Sequence, residues 1–93
     1  MKKAVYFVQA GMAYDTAVYL PYASGCLAAY AWQDETIADN FEIADFLFRH
    51  ESVDAAFERL RQPFLVSFSC CIWNFEYSKA LANKVRQIGR AHV

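Results

Sequence analysis

The chain has 93 residues, of which 57% are hydrophobic, 17% aromatic and 20% charged, and its formal net charge is −1. A chain of this length forms one small domain at most. The balanced charge argues against nucleic acid and anionic membranes as partners. No apolar run reaches the ~20 residues of a membrane span, and residues 1–3 lead directly into a strand-like segment rather than into a signal peptide. The three cysteines, Cys26, Cys70 and Cys71, lack metal-type spacing, so we expect reduced thiols in a cytoplasmic protein.

Three segments have the composition of β-strands. Residues 3–9 (KAVYFVQ) and 63–69 (PFLVSFS) are runs of β-branched and aromatic side chains, typical of strands buried on both faces. Residues 41–48 (FEIADFLF) are also apolar but include Glu42 and Asp45, two charges that favour an edge strand.

The first predicted helix begins near Pro21, because proline suits the first turn of a helix. One face of this helix carries mainly small side chains, which allow a close approach to a sheet: Leu20, Ala23, Ser24, Leu27, Ala28 and Ala31. The polar segment 32–40 (WQDETIADN) that follows is predicted to be a connection.

Two further helices follow the second and third strands. Ser52 is the predicted N-cap of the second helix, and Pro63 stops it. Asn74 is the predicted cap of the third helix. The apolar faces of the two helices are Val53, Ala56, Phe57 and Leu60 in the first case, and Tyr77, Leu81 and Val85 in the second.

The alternation of strands and helices predicts an α/β fold with a parallel sheet and right-handed crossovers. Because the charged second strand belongs outside, we expect the strand order 2-1-3 in a three-layer, doubly wound sheet of the Rossmann or flavodoxin-like type. In such sheets, ligands bind beyond the carboxyl ends of the strands, at the switch point between the first and third strands. Here those ends are residues 9–11 and 69–72.

The familiar ligands of this location do not fit the sequence. A GxGxxG loop, a GKS or GKT phosphate loop, acidic residues after the first strand and a Ser/Thr/Gly-rich flavin loop are all missing. His50 is the only credible histidine of the two in the chain, and a lone histidine is far more often a surface or capping residue than a metal ligand. Cys70 has no evident base, so we predict no catalytic and no metal-binding residue. The remaining hydroxyl, thiol, aromatic and small side chains suit a large, flat, largely neutral ligand.

Two stretches carry a resemblance to a known family. Residues 20–32 (LPYASGCLAAYAW) and 64–85 (FLVSFSCCIWNFEYSKALANKV) resemble the N-terminal region of radical SAM enzymes that carry a cobalamin-binding domain. In that family, a GFSCYVWN-like strand end precedes a helix of the EYNKALA kind. The resemblance spans most of residues 3–87 and is strongest from Val66 to Ala82. It implies a cobalamin-binding module whose parent is a cobalamin-dependent radical SAM enzyme with an unidentified substrate.

The resemblance also implies which residues hold the cofactor. Ser69 matches the strand-end serine that faces the nucleotide tail in cobalamin domains, while Cys70, Trp73 and Asn74 match the SC and WN positions of the family without individual roles. The full expected set adds the end of the first strand and the start of the first helix: Gln9, Ala10, Leu20, Pro21, Tyr22, Ser69, Cys70, Trp73 and Asn74.

Two family features are missing from the chain. The DxHxxG loop is absent and residues 11–19 (GMAYDTAVY) contain no histidine, so this domain supplies no axial histidine to the cobalt. The CxxxCxxC motif is also absent, so the iron–sulfur cluster and SAM are expected in a missing C-terminal radical SAM domain, the natural partner of this module.

The end of the chain points to truncation. Residues 88–93 (IGRAHV) match the in-frame translation of a common sequencing-library adapter, which we interpret as read-through. The natural part is then residues 1–87, an α/β domain that is incomplete at its C-terminus. We expect such a fragment to self-associate through the free edge of its third strand. Part of the third-helix face that carries Leu81 and Val85 should stay exposed to solvent, and cobalamin binding should be weak or lost.

Two other functions remain open from the sequence. One is a non-catalytic, doubly wound interaction or regulatory domain that binds no corrinoid. The other is a nucleotide-binding domain with an unorthodox loop. If Ser69 to Asn74 are only a core segment, Trp73 fills the gap between helix and sheet, and Cys70 is a small buried apolar residue.

Overall fold

A central strand pairs in parallel with a strand on each side. In the computed structural model, which describes residues 2–10, 22–49, 51–70 and 74–87, the strand order is β2-β1-β3. The elements are β1 (Lys3–Val8), α1 (Tyr22–Ala31), α2 (Glu35–Asn40), β2 (Phe41–Leu47), α3 (Val53–Arg59), β3 (Leu65–Phe68) and α4 (Phe75–Gln87). The predicted α/β class, parallel sheet and 2-1-3 order are confirmed, and β2 is an edge strand as expected.

Helices cover both faces of the sheet and create two apolar clusters. On one face, α3 and α4 pack over a cluster that contains Tyr6, Val8, Leu47, Ala56, Leu60, Val66, Leu81 and Val85. On the other face, Ala28 of α1 packs with Val5 and Phe7 of β1, and Trp32 and Phe46 are partly buried beside them. The layers are therefore helix, sheet and helix, as in doubly wound folds.

A bulge in β2 keeps its apolar side chains on the correct faces. Val5 pairs with Ile43 but Tyr6 pairs with Asp45, so Ala44 is the extra residue in β2. Side chains alternate between faces along a regular strand, and one inserted residue reverses that alternation. Phe46 therefore joins Ile43 on the α1 face, and the Asp45 carboxylate stays exposed, accepting a hydrogen bond from its neighbour's backbone N–H.

The predicted buried face of α1 is wrong in part. Ser24 and Ala28 are buried, but Ala23 is exposed and Leu27 is 53% exposed. The reason is Trp32, whose indole N–H donates to the Phe41 carbonyl over 3.3 Å and whose ring meets Phe7 edge-on at 6.2 Å. The line of residues 24, 28 and 32 thus faces the sheet, and Leu27 turns towards solvent.

The predicted connection at 32–40 contains a short helix, α2. Asp34 is its N-cap, and one carboxylate oxygen accepts hydrogen bonds from the backbone N–H groups of Thr36 and Ile37. An acidic N-cap followed by Glu35 in the first turn compensates the helix dipole. The polar composition of the segment hid this capping signal.

The second helix and its cap agree with the prediction. α3 begins after Ser52, whose hydroxyl accepts a hydrogen bond from the Ala55 N–H at 3.1 Å.

β3 is shorter than expected, and only Val66 in it is fully buried. The expectation of a strand buried on both faces is wrong for β3, because within the described part of the chain β1 is its sole strand neighbour. Self-association through this edge stays a prediction.

The expectation that part of the Leu81 and Val85 face of α4 stays exposed to solvent is wrong. Leu81 and Val85 are both 0% exposed. They are covered because α3 lies directly against α4, where Lys84 pairs with Asp54 and lies 5.2 Å from the centre of the Phe57 ring. The contact between the two helices thus buries the face that was expected to stay exposed.

None of the helices in the described part of the chain is long and apolar enough to cross a bilayer.

Because Leu81 is fully buried, we expect that shortening its side chain strongly lowers the stability of the fold. Leu81→Ala removes a side chain that lies wholly inside the α3/α4 cluster, and the free energy of unfolding should fall by roughly 2–5 kcal/mol. Asn83→Ala, at an exposed position of the same helix, is the matched control and should change it by less than about 0.5 kcal/mol. Urea denaturation measures both, and equal losses would contradict the packing described.

Candidate functional site

The ends of β1 and β3 lie side by side at the carboxyl side of the sheet. Val8 pairs with Phe68, and the Ser69 N–H donates to the Val8 carbonyl at 2.9 Å. We use the name carboxyl edge for Gln9, Ala10, Ser69, Cys70 and Asn74. It is the switch point of the sheet, because the chain leaves β1 through α1 on one face and leaves β3 through α4 on the other.

Asn74 ties the two strand ends together. Its side chain is buried, and its amide nitrogen donates to the carbonyls of Ala10 and Ser69, both at 3.1 Å. Both partners are acceptors, so the orientation of the amide is fixed by chemistry. Asn74 also stands directly before α4, where its own carbonyl accepts the Ser78 N–H at 2.9 Å. Both side-chain N–H bonds are therefore committed to the protein's own backbone.

Gln9 has a comparable task at the start of α1. Its side-chain oxygen accepts a hydrogen bond from the Ser24 N–H at 3.0 Å. Ser24 is the third residue of α1, and the N–H groups of the first turn have no partner inside a helix. The end of β1 thus supplies a capping group for the first turn of α1.

The other described residues of the expected set face outwards. Ser69 is half-buried, Cys70 carries an exposed free thiol, and Tyr22, the first residue of α1, is 80% exposed. Cys70 is therefore not the small buried apolar residue expected if Ser69 to Asn74 were only a core segment. The hydrogen bond to Cys26, followed by its charge and slight desolvation, raises the pKa of the Tyr22 hydroxyl above its ordinary value of 10.0, so the phenol is neutral at physiological pH.

Phe75 is a further candidate that sequence reasoning missed. It is the first residue of α4 and is 52% exposed. The sequence indicated its exposure, because Phe75 follows the predicted cap but does not belong to the helix face of Tyr77, Leu81 and Val85. An aromatic residue thus begins each of the two helices that flank the carboxyl edge.

Several predicted residues lie outside the described part of the chain. They are Leu20, Pro21 and Trp73 from the expected cofactor-binding set, together with His50, Cys71 and the tail 88–93. Among the residues that are described, no group of three or more His, Cys, Asp or Glu side chains could hold a metal ion.

A cleft of about 870 Å³ opens at the opposite, amino-terminal side of the sheet. Lys2, Lys3, Arg61 and Glu42 lie around it. Its floor is held by Tyr6, whose hydroxyl donates to the Arg61 carbonyl and accepts from the Arg61 N–H. Ligands of parallel sheets bind at the other end, so the carboxyl edge is the candidate site.

Sequence comparison gives two relatives that are methyltransferases. TokK of Streptomyces tokunonensis, described as a cobalamin-dependent radical SAM methyltransferase, is 30% identical over 69 residues, which cover 74% of this chain and 10% of TokK. A 2-(S-pantetheinyl)-carbapenam-3-carboxylate methyltransferase of Streptantibioticus cattleyicolor is 27% identical over 85 residues, or 91% of this chain and 12% of that protein. The chain thus spans about a tenth of the length of the curated relatives it matches. No protein-family model matches it.

The capping role of Gln9 can be measured directly. Gln9→Ala leaves the Ser24 N–H without its partner, and the loss of a helix cap costs about 0.5–2 kcal/mol. Gln9→Glu keeps the acceptor and adds a charge that the helix dipole favours, so its stability should equal or exceed that of the wild type at neutral pH. The control is Gln33→Ala, at an exposed position beyond α1. Chemical denaturation that ranks Gln9→Ala with Gln33→Ala would show that Gln9 is no cap.

Proposed function

We propose that the chain is the cobalamin-binding module of a radical SAM methyltransferase and that it holds the corrinoid beyond the carboxyl ends of β1 and β3. The observation that carries the proposal is the 30% identity over 69 residues to a cobalamin-dependent radical SAM methyltransferase. The doubly wound sheet also supports it, because its switch point adjoins the end of β3, which lies within residues 66–82, where the resemblance is strongest.

The chemistry of the carboxyl edge fits a corrinoid. A corrinoid is a large, flat, mainly neutral molecule with amide side arms, and the described residues here are a hydroxyl, a thiol, aromatic rings and small side chains. Gln9, Ala10, Ser69, Cys70 and Asn74 carry no charged group, and the Tyr22 phenol is neutral as well. A nucleotide ligand, the class of one alternative, would favour a cationic or glycine-rich edge.

The roles divide between holding the cofactor and shaping its site. Ser69, Cys70 and Tyr22 are the proposed contacts, to which Leu20, Pro21 and Trp73 are added by the resemblance. Gln9 and Asn74 fix the backbone around them through the hydrogen bonds described above. The corrinoid supplies the methyl-transfer chemistry, whereas the protein supplies binding and orientation.

No catalytic residue is assigned within this chain. In the proposed parent, an iron–sulfur cluster and SAM belong to a radical SAM domain outside these residues, and that domain is the proposed partner of the module. The competing hypothesis, a doubly wound interaction domain, predicts that the chain binds no corrinoid. Direct titration with a cobalamin therefore separates the two.

Hydroxocobalamin should bind to the isolated chain with weak but saturable affinity. Binding was expected to be weak or lost, and the burial of Leu81 and Val85 removes one of the reasons for that expectation, the solvent-exposed α4 face. Tyr22→Ala should weaken binding roughly tenfold, because an aromatic contact of about 1–2 kcal/mol is removed. Tyr30→Ala is the matched control, since Tyr30 is 78% exposed against 80% for Tyr22 and lies on the same helix.

Equilibrium dialysis measures these affinities, with ATP as the competing ligand class. Saturable ATP binding without hydroxocobalamin binding would favour a nucleotide domain, and no binding of either would favour an interaction domain. Equal effects of the two tyrosine variants would remove Tyr22 from the site.

A second prediction concerns the axial ligand of the cobalt. Residues 11–19 contain no histidine, so no imidazole of this chain should coordinate a bound cobalamin. His50→Ala should leave the absorption spectrum of the complex unchanged. In electron paramagnetic resonance of the cobalt(II) form, nitrogen coupling that disappears in His50→Ala would overturn this prediction.

A further inference from the structure

We infer that Asn74 is a positioning residue that fixes the separation of the β1 and β3 ends and thereby sets the shape of the proposed corrinoid site without contacting the corrinoid. The part of this inference that concerns binding rests on the proposed function. The part that concerns the strand ends rests on hydrogen-bond geometry alone.

Asn74 takes over where the sheet stops. The last backbone bond between the two strand ends runs from the Ser69 N–H to the Val8 carbonyl. Beyond it, the carbonyls of Ala10 and Ser69 receive their donors from one side chain, which is 64 residues from Ala10 and five from Ser69 along the chain. The two amide hydrogens of Asn74 therefore bridge the two strand ends just past the last rung of the ladder.

The geometry requires an asparagine. A primary amide carries two N–H bonds in a fixed fork, so one short side chain can serve two carbonyls at 3.1 Å. Serine offers one donor and a carboxylate offers none. Asn74 is only 2% exposed, so water is poorly placed to replace the lost hydrogen bonds, and the carbonyls would stay unpaired.

The consequence for the site follows from the order of the chain. In the sequence, residues 11–21 follow Ala10, and residues 71–73 stand between Cys70 and Asn74. These two segments contain Leu20, Pro21 and Trp73, the proposed cofactor contacts outside the described residues. One side chain therefore holds the strand ends from which both segments depart, and the start of α4 as well. Displacements of about 1 Å in such supports are enough to weaken a binding site.

The test compares Asn74→Ala with Val85→Ala. Val85 is fully buried on the same helix but almost three turns away, in the α3/α4 cluster, so its truncation lowers global stability without touching the carboxyl edge. Amide hydrogen exchange and the dissociation constant for hydroxocobalamin are measured under conditions in which every variant is folded. Asn74→Ala should accelerate exchange of the Gln9 and Ser69 amides at least tenfold more than exchange of the Tyr6 and Phe7 amides. It should also raise the dissociation constant at least tenfold.

Val85→Ala should leave the dissociation constant unchanged. It should not accelerate exchange of the Gln9 and Ser69 amides more than exchange of the Tyr6 and Phe7 amides. If Asn74→Ala does not fold, Asn74→Ser, which keeps one donor, is measured in the same way and should show both effects with smaller size. Equal rises of the dissociation constant in the Asn74 and Val85 variants, or uniform exchange across β1, would overturn the inference.

The pH dependence of binding by Asn74→Asp distinguishes a role of the side-chain donors from a purely structural role. A carboxylate that faces two carbonyls has a raised pKa, and its protonated form regains one donor. The affinity of folded Asn74→Asp for hydroxocobalamin should therefore increase as the pH falls through that raised pKa, whereas the wild-type affinity should stay level. A level profile in both proteins would contradict the role of the donors.

The two hypotheses fail in different ways. If wild-type protein does not bind hydroxocobalamin, the proposed function fails, and the exchange pattern alone decides the role of Asn74. If the wild type binds and Asn74→Ala binds equally well, the proposed function stands and the inference about Asn74 is wrong.

Discussion

The burial of β1 on both faces is the constraint on which the rest of the structure depends. Residues Val5 to Val8 are all buried, and their side chains alternate between the α1 layer and the α3/α4 layer. A strand of this kind needs a strand neighbour on each side and a helical layer on each face. Parallel pairing then brings the carboxyl ends of β1 and β3 to one edge, and the crossovers to opposite faces open the switch point there. The location of the proposed site is thus a consequence of how one apolar strand is covered.

Apolar packing alone would leave this edge poorly defined, and side-chain amides complete it. Strand ends and helix starts expose backbone groups that have no regular partner. Gln9 satisfies the Ser24 N–H of α1, while Asn74 satisfies the carbonyls of Ala10 and Ser69. The edge is therefore held by hydrogen bonds to rigid elements before any ligand arrives, and such preorganisation favours binding. The exposed groups at the edge, the Cys70 thiol and the Tyr22 ring, then remain available to a ligand.

The sequence predicted the features that depend on local composition. The run KAVYFVQ indicated β1, Glu42 and Asp45 indicated an edge strand, and Ser52 indicated the start of α3. It did not reveal which face of α1 is buried, because that depends on the contact of Trp32 with Phe7 and Phe41 across the sheet. The burial of Leu81 and Val85 was likewise missed, since it comes from the pairing of α3 with α4. Asn74 was predicted at the start of the last helix, but its bridge between the strand ends was not, because one partner, Ala10, is 64 residues away.

A chemical-shift map of the amides during titration with hydroxocobalamin tests the central claim most directly, because it locates the ligand without any substitution. A corrinoid at the carboxyl edge should shift Gln9, Ala10, Ser69, Cys70 and the first turns of α1 and α4, and should leave the amino-terminal cleft unchanged. Shifts confined to Lys2, Lys3 and residues 60–64 around that cleft, or no saturable shifts at all, would contradict a corrinoid site between the ends of β1 and β3.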